Sequence, residues 1–549
     1  MSALIDVRGL TVALPRNADR PHAVSGLSLS VERGKTLCIV GESGSGKSMT
    51  AHAAMGLLPP GVRVQAGSIR LDGQELPLQD ERAMQRIRGR DMGMIFQEPM
   101  TSLNPIMRVR DQIAEVFAAH GAGGERGLRK RIEALLEEMG LPDPRRIAGS
   151  YPHQLSGGQR QRVMIAMALA LNPKLLIADE PTTALDVTTQ AQILGLIQRL
   201  REVHGTAVLF ITHDFGVVAE IADEVAVLNG GEMVEHGPAG TLLTDPQHPY
   251  TKRLLEAVPT LVPPPRRDMS GAEPVLGIER LHKTYGRRSR WFPGRPLVTA
   301  VNDVSFSIRR GETLALVGES GSGKSTLARC LVRLVEPDSG KVEVGGLSIL
   351  EMPQRRFRTH RGRIQIVFQD PFASLNPRRK VGRIIAEGPE AQGVPRAEAM
   401  ARARELLELV GLPAQAVGRY PHEFSGGQRQ RIGIARALAL DPDVLIADEA
   451  VSALDVSVQA RILDLIRELQ VRLGIAILFV THDLRVAAQV CDRIAVMQHG
   501  RIVELEETAQ LLANPVHPYT RKLFASIPGR SDRDIAPPAD AGPQAASSG

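Results

Sequence analysis

The chain has 549 residues, 43% of them hydrophobic and 23% charged, and its 67 basic and 61 acidic residues give a net charge of +6. This composition is typical of globular proteins, and at roughly 100–200 residues per domain the length is enough for more than two domains. The longest apolar runs fall short of the ~18–20 residues that a membrane-spanning helix needs, and no signal-peptide pattern opens the chain, so we expect a protein that stays in the cytoplasm. The weak net charge is poor evidence for a nucleic-acid partner, and the 3 cysteines are too few for a disulfide framework or a metal cluster.

The sequence repeats itself once. Residues 40–48 recur unchanged at 317–325, and residues 156–162 recur unchanged at 425–431. A period of about 270 residues is far too long for a solenoid, so the repeat predicts two tandem copies of one domain.

Composition predicts where these domains begin and end. We expect a first domain over 1–262, a proline-rich linker over 263–273, a second domain over 274–530 and a disordered tail over 531–549. Each domain then closes with the same motif, because His248-Pro-Tyr-Thr251 in the first copy matches His517-Pro-Tyr-Thr520 in the second.

Within the first copy, short apolar runs alternate with helical patterns. Residues 36–40 read as a buried strand that is broken by glycines before a helix opens at Lys47, and residues 175–178 and 207–212 read as further buried strands. This alternation predicts an α/β fold with a largely parallel sheet. Residues 125–139 are charged and leucine-spaced, which predicts a helical insert in that core.

Each copy contains a glycine-rich loop between a strand and a helix. The pattern Gly41-x4-Gly46-Lys47-Ser48 lets backbone N–H groups point at a phosphate, the lysine reaches the β/γ oxygens and the serine hydroxyl serves Mg²⁺. The residues predicted to bind the phosphates are Gly41, Ser43, Gly44, Ser45, Gly46, Lys47, Ser48 and Met49 in the first copy, and Gly318, Ser320, Gly321, Ser322, Gly323, Lys324, Ser325 and Thr326 in the second.

Polar residues that follow the other strands predict the chemistry. An acid pair ends one apolar strand, and its first carboxylate fits the Mg²⁺ shell while its second is placed to polarise a water. A histidine after the next strand predicts a γ-phosphate sensor that donates as a neutral imidazole, and a glutamine offers a donor and acceptor for Mg²⁺ and water. The predicted metal ligands are Ser48, Gln97, Asp179, Ser325, Gln369 and Asp448; the predicted catalytic residues are Glu180, Glu449, His213, His482, Gln97 and Gln369.

The Ser-Gly-Gly-Gln element, in combination with these residues, resembles the signature of the nucleotide-binding subunits of ATP-binding-cassette transporters. The resemblance covers nearly the whole chain and implies an ATPase made of two tandem P-loop NTPase cassettes, each a RecA-like α/β core with a helical subdomain. It also implies that the cassettes pair head to tail within one chain, so that each ATP is held by one phosphate loop and the opposite signature. The signature residues are Ser156, Gly157, Gly158, Gln159, Ser425, Gly426, Gly427 and Gln428.

The two copies depart from each other at two positions. Tyr285 matches the aromatic residue that stacks on adenine in the family, whereas its counterpart in the first copy is Leu14. The second copy reads Ala450 where the first has Pro181, the family's usual residue, and we expect this to shift the loop slightly without abolishing catalysis. Both sites are therefore predicted to hydrolyse ATP.

Two further features resemble the dipeptide and oligopeptide importers. These are the segments after the two glutamines, 97–105 and 369–377, and the two His-Pro-Tyr-Thr elements. Because both cassettes share one chain, the resemblance is to fused members such as the glutathione and microcin C importer ATPases. It implies a subunit peripheral on the inner membrane that powers peptide import through two transmembrane permease subunits, served by an extracytoplasmic substrate-binding protein, with no nucleic acid as partner.

Two alternatives remain open from the sequence. A ribosome-associated translation factor also has two tandem cassettes, although such factors usually join them with a long charged helical linker. An importer ATPase for a non-peptide cargo would carry the same ATP-binding motifs.

Overall fold

The computed structural model describes residues 3–97, 102–124, 126–183, 185–263, 269, 271–286, 297–452 and 454–529. The predicted tail and most of the predicted linker lie outside these residues, as do residues 98–101 of the segment after Gln97. Contacts divide the chain into a first unit that ends at Val258 and a second that begins at Pro259, apart from Asp455–Ser457, which group with the first.

The first unit contains two sheets over the described residues. A four-stranded antiparallel sheet has the order β2-β1-β4-β5, and a six-stranded sheet has the order β10-β9-β3-β8-β7-β6 with all neighbours parallel except β9 and β10. The strands are β1 Ala3–Ala13, β2 His22–Glu32, β3 Thr36–Val40, β4 Arg63–Leu71, β5 Gln74–Glu75, β6 Met92–Ile95, β7 Leu175–Asp179, β8 Ala207–Ile211, β9 Glu224–Asn229 and β10 Glu232–Pro238.

Helices follow most strands of the first unit, and several lie between β6 and β7 in the chain. They are α1 Lys47–Met55, α2 Glu81–Ile87, α3 Val109–Ala119, α4 Leu128–Glu138, α5 Pro144–Gly149, α6 Gly157–Leu169, α7 Val187–His204, α8 Phe215–Ile221, α9 Ala239–Thr244 and α10 Pro249–Glu256. The predicted helix over 125–139 is thus α4, which begins later because Gly127 has a left-handed backbone with φ of 95°.

The two faces of the buried strands pack into two different hydrophobic cores of this unit. Every residue of β3 is buried, as expected for a parallel strand covered on both faces. Cys38 and Val40 pack into a core shared with the helical insert, which includes Phe117 of α3. Leu37 and Ile39, which point to the other face, pack with the antiparallel sheet.

The second unit repeats this architecture. Over the described residues its sheets have the orders β12-β11-β14-β15 and β16-β17-β18-β13-β19-β20. The strands are β11 Pro274–Tyr285, β12 Val298–Arg309, β13 Thr313–Val317, β14 Ser339–Val344, β15 Leu347–Ser348, β16 Ile364–Val367, β17 Val444–Asp448, β18 Ala476–Thr481, β19 Arg493–Gln498 and β20 Arg501–Glu507. The helices are α11 Lys324–Leu331, α12 Gln354–His360, α13 Pro371–Ser374, α14 Val381–Ala391, α15 Arg396–Leu409, α16 Gly426–Leu438, α17 Val456–Leu473, α18 Leu484–Val490, α19 Thr508–Ala513 and α20 Pro518–Ala525.

The predicted fold class is confirmed: each unit is an α/β core with a helical insert. The domain boundaries at 262 and 274 stay predictions. Among the helices that the structure describes, every one is too short or too polar to cross a lipid bilayer. All three cysteines are buried free thiols.

Candidate active site

The phosphate loop of the first unit connects β3 to α1. Its last glycine, Gly46, has φ of 103°, and a Cβ atom there would lie 2.6 Å from the Ala23 carbonyl oxygen, so only glycine fits. Gly323 has φ of 111° at the matching place and would meet the Ala300 carbonyl. Lys47 and Lys324 then form the first residues of α1 and α11, which directs the N–H groups of the first helical turn towards the loop.

In each phosphate loop, the lysine side chain donates hydrogen bonds to carbonyl oxygens at the start of the loop. The Nζ atom of Lys47 donates to the carbonyl oxygens of Gly41 at 2.7 Å and Glu42 at 2.9 Å, and Lys324 donates to the carbonyls of Gly318 and Glu319 at 2.7 and 3.0 Å. Burial lowers the pKa of Lys47, although Glu180 and Asp179 act in the opposite direction.

Two buried hydroxyls in these loops lack a hydrogen-bond partner. Within the described residues the Oγ atoms of Ser45 and Ser322 are buried and unpaired. A buried polar atom without a partner costs free energy, and an anion oxygen in the loop would satisfy it. The loops therefore fit a phosphate group.

A serine and an aspartate meet beside each loop. Ser48 donates its hydroxyl to Asp179 Oδ1 at 2.9 Å, and Ser325 donates to Asp448 Oδ1 at 3.4 Å. Both aspartates end a parallel strand, and burial raises the pKa of each carboxyl. A hydroxyl and a carboxylate are the hard oxygen donors that Mg²⁺ prefers.

Glu180 is the centre of a hydrogen-bonded group in the first unit. Gln97 Nε2 donates to Glu180 Oε2 at 2.8 Å, Thr183 Oγ1 donates to the same oxygen at 3.0 Å, and His213 Nδ1 lies 3.3 Å from Oε1. The residue has φ of 46°, and its N–H donates to the Ile211 carbonyl at 2.9 Å. A left-handed glutamate is strained, and such strain is concentrated at functional sites.

Glu449 occupies the same place in the second unit. Its φ is 49°, Gln369 Nε2 donates to its Oε2 at 2.6 Å, and His482 Nδ1 lies 3.6 Å from that atom. The third contact differs, because Ser452 donates to the backbone carbonyl of Glu449 at 3.1 Å and not to its carboxylate. The backbone is thus conserved between the two copies while the contacts to the carboxylate are fewer in the second.

The neighbours of Glu180 stabilise its negative charge. Burial acts to raise the pKa of Glu180, but the hydrogen bond and charge of His213 and the charge of Lys47 outweigh burial and lower the pKa to about 2. Burial acts to lower the pKa of His213, but Glu180 outweighs it and the pKa of His213 rises. The pKa of Glu449 is also lowered, since His482 outweighs burial there.

The contact of His213 with Glu180 bears on its predicted protonation state. Its Nδ1 faces Glu180, so a neutral ring that donates from Nδ1 would leave Nε2 only as an acceptor. Donation to a phosphate oxygen from Nε2 needs the protonated ring, and the raised pKa of His213 favours that form. Contact with Glu180 thus favours an imidazolium that donates from both nitrogens, whereas the neutral imidazole stays a prediction.

The signature motifs begin the helices α6 and α16. Ser156 Oγ accepts from the Gln159 N–H while Gln159 Oε1 accepts from the Ser156 N–H, which forms a capping box, and Ser425 and Gln428 repeat it. The glutamine side chains are thus occupied in the cap. The N–H groups of the glycines remain at the positive end of the helix dipole.

Three further residues, Tyr285, Met49 and Thr326, are predicted to bind the nucleotide. Tyr285 ends β11 and is 41% exposed, and its counterpart Leu14 is half-buried and packs against the apolar core. Met49 also packs against that core with its side chain, and Thr326 is half-buried in α11.

One contact behind the site was missed from the sequence. Gln161 of α6 is buried and donates from Nε2 to the Pro181 carbonyl at 2.5 Å, which ties the signature helix to the residue after Glu180. Its counterpart Gln430 is equally buried, but its Nε2 has no partner among the described residues. The signal in the sequence is the last glutamine of the repeated Ser-Gly-Gly-Gln-Arg-Gln motif, because a glutamine that is buried needs a hydrogen-bond partner.

The fold and the site together define an ATPase of the ATP-binding-cassette class, and the chain belongs to the ABC transporter family. The family model described as "ABC transporter" matches residues 24–183 and 301–452, so it matches part of each unit. A second model, "Oligopeptide/dipeptide transporter, C-terminal region", matches residues 234–286 and 503–547, where the two His-Pro-Tyr-Thr elements lie.

Similar proteins include two curated relatives, both named glutathione import ATP-binding protein GsiA. Those from Escherichia coli (strain K12) and Salmonella typhimurium (strain LT2) are each 48% identical to this chain, with 96% of this chain and 89% of the relative covered. A solved ATP-binding cassette bound to ADP and Pi covers 42% of this chain and 98% of its own at 28% identity and a TM-score of 0.39.

Proposed function

We propose that each cassette binds ATP with Mg²⁺ at its phosphate loop. The loop N–H groups, Lys47 and the unpaired Ser45 hydroxyl would hold the phosphates, with Lys324 and Ser322 in the second cassette. Ser48 and Asp179, or Ser325 and Asp448, would hold the ion, which supplies positive charge to the β/γ oxygens when bound. Two protein oxygens suit Mg²⁺ because it usually keeps waters and nucleotide phosphates as its other ligands.

In this proposal Glu180 and Glu449 polarise the attacking water. Each carboxylate is kept ionised by its histidine neighbour, so it can accept hydrogen bonds from water at neutral pH. Gln97 and Gln369 orient the carboxylates through their amide N–H groups, and their amide oxygens are left to face the water or the ion. His213 and His482 donate from Nε2 to the γ-phosphate.

We also propose that the two signatures contribute to ATP binding. Support comes from the capping boxes, which satisfy the serine N–H and the third helical N–H and leave the N–H groups of the glycines for an anion. A Cβ atom at Gly158 would lie 2.7 Å from Thr189 Cγ2, so this position favours glycine. Tyr285 stacks on adenine in the second cassette, and Leu14 offers a weaker aliphatic surface in the first.

The cargo that we propose is a small peptide or a peptide-like compound such as glutathione. The observation that carries this proposal is the repeated His-Pro-Tyr-Thr element, because it lies where the oligopeptide and dipeptide transporter model matches each cassette. The names of the relatives point to the same chemical class of solute. The chain would act with two transmembrane permease subunits at the inner membrane, and an extracytoplasmic binding protein would deliver the cargo to them.

Uptake by cells that lack the chain tests the proposal. Restoring the chain should restore uptake of labelled glutathione or a labelled dipeptide, whereas a Glu180→Gln/Glu449→Gln chain should not. A labelled sugar imported by another system is the control, since its uptake should not change. Peptide and glutathione uptake that is equal with and without the chain would contradict the proposed cargo.

The competing roles give different results in the same cells. A ribosome-associated factor would sediment with ribosomes and would be missing from washed membranes, whereas the proposed subunit should copurify with permeases from detergent-solubilised membranes. Restored uptake of a non-peptide solute alone would instead assign the chain to another importer class.

A further inference from the structure

The His-Pro-Tyr-Thr element of each cassette contacts the phosphate loop directly. The hydroxyl oxygen of Tyr250 accepts a hydrogen bond from the backbone N–H of Glu42 at 3.2 Å, and Tyr519 accepts from the N–H of Glu319 at 3.0 Å. Glu42 and Glu319 are the second residues of the two loops. Because the partners are separated by 208 and 200 residues in sequence, the contact joins α10 and α20, the last described helices of the two cassettes, to the nucleotide sites.

In the first cassette, this contact completes the hydrogen bonding of the backbone at the start of the phosphate loop. Lys47 holds the carbonyl of Glu42 at 2.9 Å while Tyr250 holds its N–H, so both backbone polar groups of Glu42 are paired. The neighbouring carbonyl, that of Gly41, is held by Lys47 at 2.7 Å. A phosphate loop binds through the directions of its N–H groups, and fixing Glu42 therefore fixes the start of the loop.

The rest of the element holds the tyrosine in position. His248 caps α10 by accepting the Tyr250 N–H at its Nδ1 atom at 3.2 Å, and the His248 N–H itself donates to Glu235 of β10 at 3.2 Å. Tyr250 is 5% exposed and packs in the core next to Leu254. Burial raises the pKa of Tyr250 to about 12, so its hydroxyl stays neutral.

The second cassette repeats every one of these contacts. His517 Nδ1 accepts from the Tyr519 N–H at 3.2 Å, and the N–H groups of His517 and Val516 donate to Glu504 of β20 at 3.0 and 2.8 Å. Tyr519 is 6% exposed. Because both cassettes have the same arrangement, the tyrosine hydroxyl contributes to the phosphate loop as well as the ring.

We propose that Tyr250 and Tyr519 are positioning residues for ATP, through which the C-terminal element of each cassette sets the phosphate loop in its binding shape. This inference rests on the proposed ATP sites. It assigns the His-Pro-Tyr helix a role inside the nucleotide site, in which loss of the hydroxyl loosens the loop and weakens nucleotide binding while the fold and the catalytic glutamates stay intact.

The first test follows the loop itself, without nucleotide. Tyr250→Phe keeps the ring and removes the hydroxyl, and backbone amide exchange over residues 41–46 should become about 3- to 10-fold faster, as expected for one lost hydrogen bond. Thr206→Val is the control, because it removes a buried hydroxyl that donates to the Pro173 carbonyl at 3.1 Å, outside the His-Pro-Tyr-Thr element. An unchanged exchange rate in Tyr250→Phe, or an equal acceleration over residues 41–46 in Thr206→Val, would overturn the proposal.

The second test measures the nucleotide. In a Lys324→Ala chain, where only the first site remains, Tyr250→Phe should raise the Kd for ADP and the KM for ATP about 3- to 10-fold and change kcat less than twofold. Tyr519→Phe in a Lys47→Ala chain should do the same for the second site. An unchanged Kd would overturn the positioning role. Absence of ADP binding by the chain with both tyrosines would instead contradict the proposed function, and the exchange rates would still decide the role of the hydroxyl.

Discussion

Several contacts of the first site converge on Glu180. Its carboxylate accepts from Gln97 and Thr183 and faces His213, and its backbone is held in the left-handed region. The ion pair with His213 depends on the protonation of both partners. The raised pKa of His213 contributes stability that is fully present below its ordinary pKa of 6.5 and is lost as pH rises through the raised value.

The lowered pKa of Glu180 works in the opposite direction. Its contribution is present above the ordinary value of 4.5 and is lost as pH falls through about 2. We therefore predict that His213→Ala lowers the thermal midpoint most between pH 4.5 and 6.5, and less as pH rises above that range. His236→Ala is the control, because His236 pairs with Glu224 at 3.0 Å on an exposed surface, where ion pairs contribute little. A His213→Ala effect that does not change with pH would contradict the account.

Gln161 and Gln430 give a second prediction at the scale of single residues. Gln161→Met leaves the Pro181 carbonyl without its donor and should cost about 1 kcal/mol, whereas Gln430→Met removes a buried amide N–H that has no partner and should be neutral or stabilising. Thermal unfolding of the two variants checks the difference. Equal destabilisation by both substitutions would show that the Pro181 contact is not what matters.

At the scale of elements, the phosphate loop depends on glycine for two different reasons. Gly44 has φ of 78°, but a Cβ there would meet nothing within 4 Å, whereas Gly46 combines its positive φ with a collision against the Ala23 carbonyl. We predict that Gly44→Ala costs about 1 kcal/mol in backbone strain, and that Gly46→Ala costs clearly more and displaces α1. Thermal unfolding and ADP titration check this order. Comparable losses from both would contradict the steric argument.

The elements that carry the site were largely predictable from the sequence. Buried strands such as β3 and helix starts such as that of α1 follow from an apolar run that ends in glycines, because this pattern has few other solutions. The end of α4 was predicted, but its start was not, because Gly127 has a left-handed backbone and Leu128 is therefore the first helical residue. Local pattern sets the type of an element, and the backbone freedom of single residues sets its limits.

Contacts between distant elements could not be predicted in the same way. The spacing of motifs placed Glu180 and His213 at one sheet edge, but no pattern told which nitrogen of His213 faces the carboxylate. The His-Pro-Tyr-Thr repeat was visible, yet its contact with Glu42 spans 208 residues and depends on how α10 packs. Gln161 has a hydrogen-bond acceptor and Gln430 has none among the residues that the structure describes, and this difference depends on the position of a backbone carbonyl, which the sequence does not show.

At the scale of the whole molecule, two units of the same architecture carry the same set of residues. Lysine, serine, aspartate, glutamate, glutamine and histidine recur with similar contacts, and Ala450 in place of Pro181 leaves the φ of the preceding glutamate at 49° against 46°. The expected small shift of this loop stays a prediction, and the copies differ nearby in the contact from Ser452 to the Glu449 carbonyl. Two hydrolytic sites are the central claim of this account.

Turnover of single and double glutamine variants tests that claim most directly. We predict that Glu180→Gln and Glu449→Gln each lower ATP turnover clearly, and that the double variant lowers it about 100-fold or more while ADP still binds, because only the polarisation of water is lost. Glu202→Gln, at an exposed position of α7, should leave turnover unchanged. Full turnover in either single variant would contradict the account, since one cassette would then be catalytically silent.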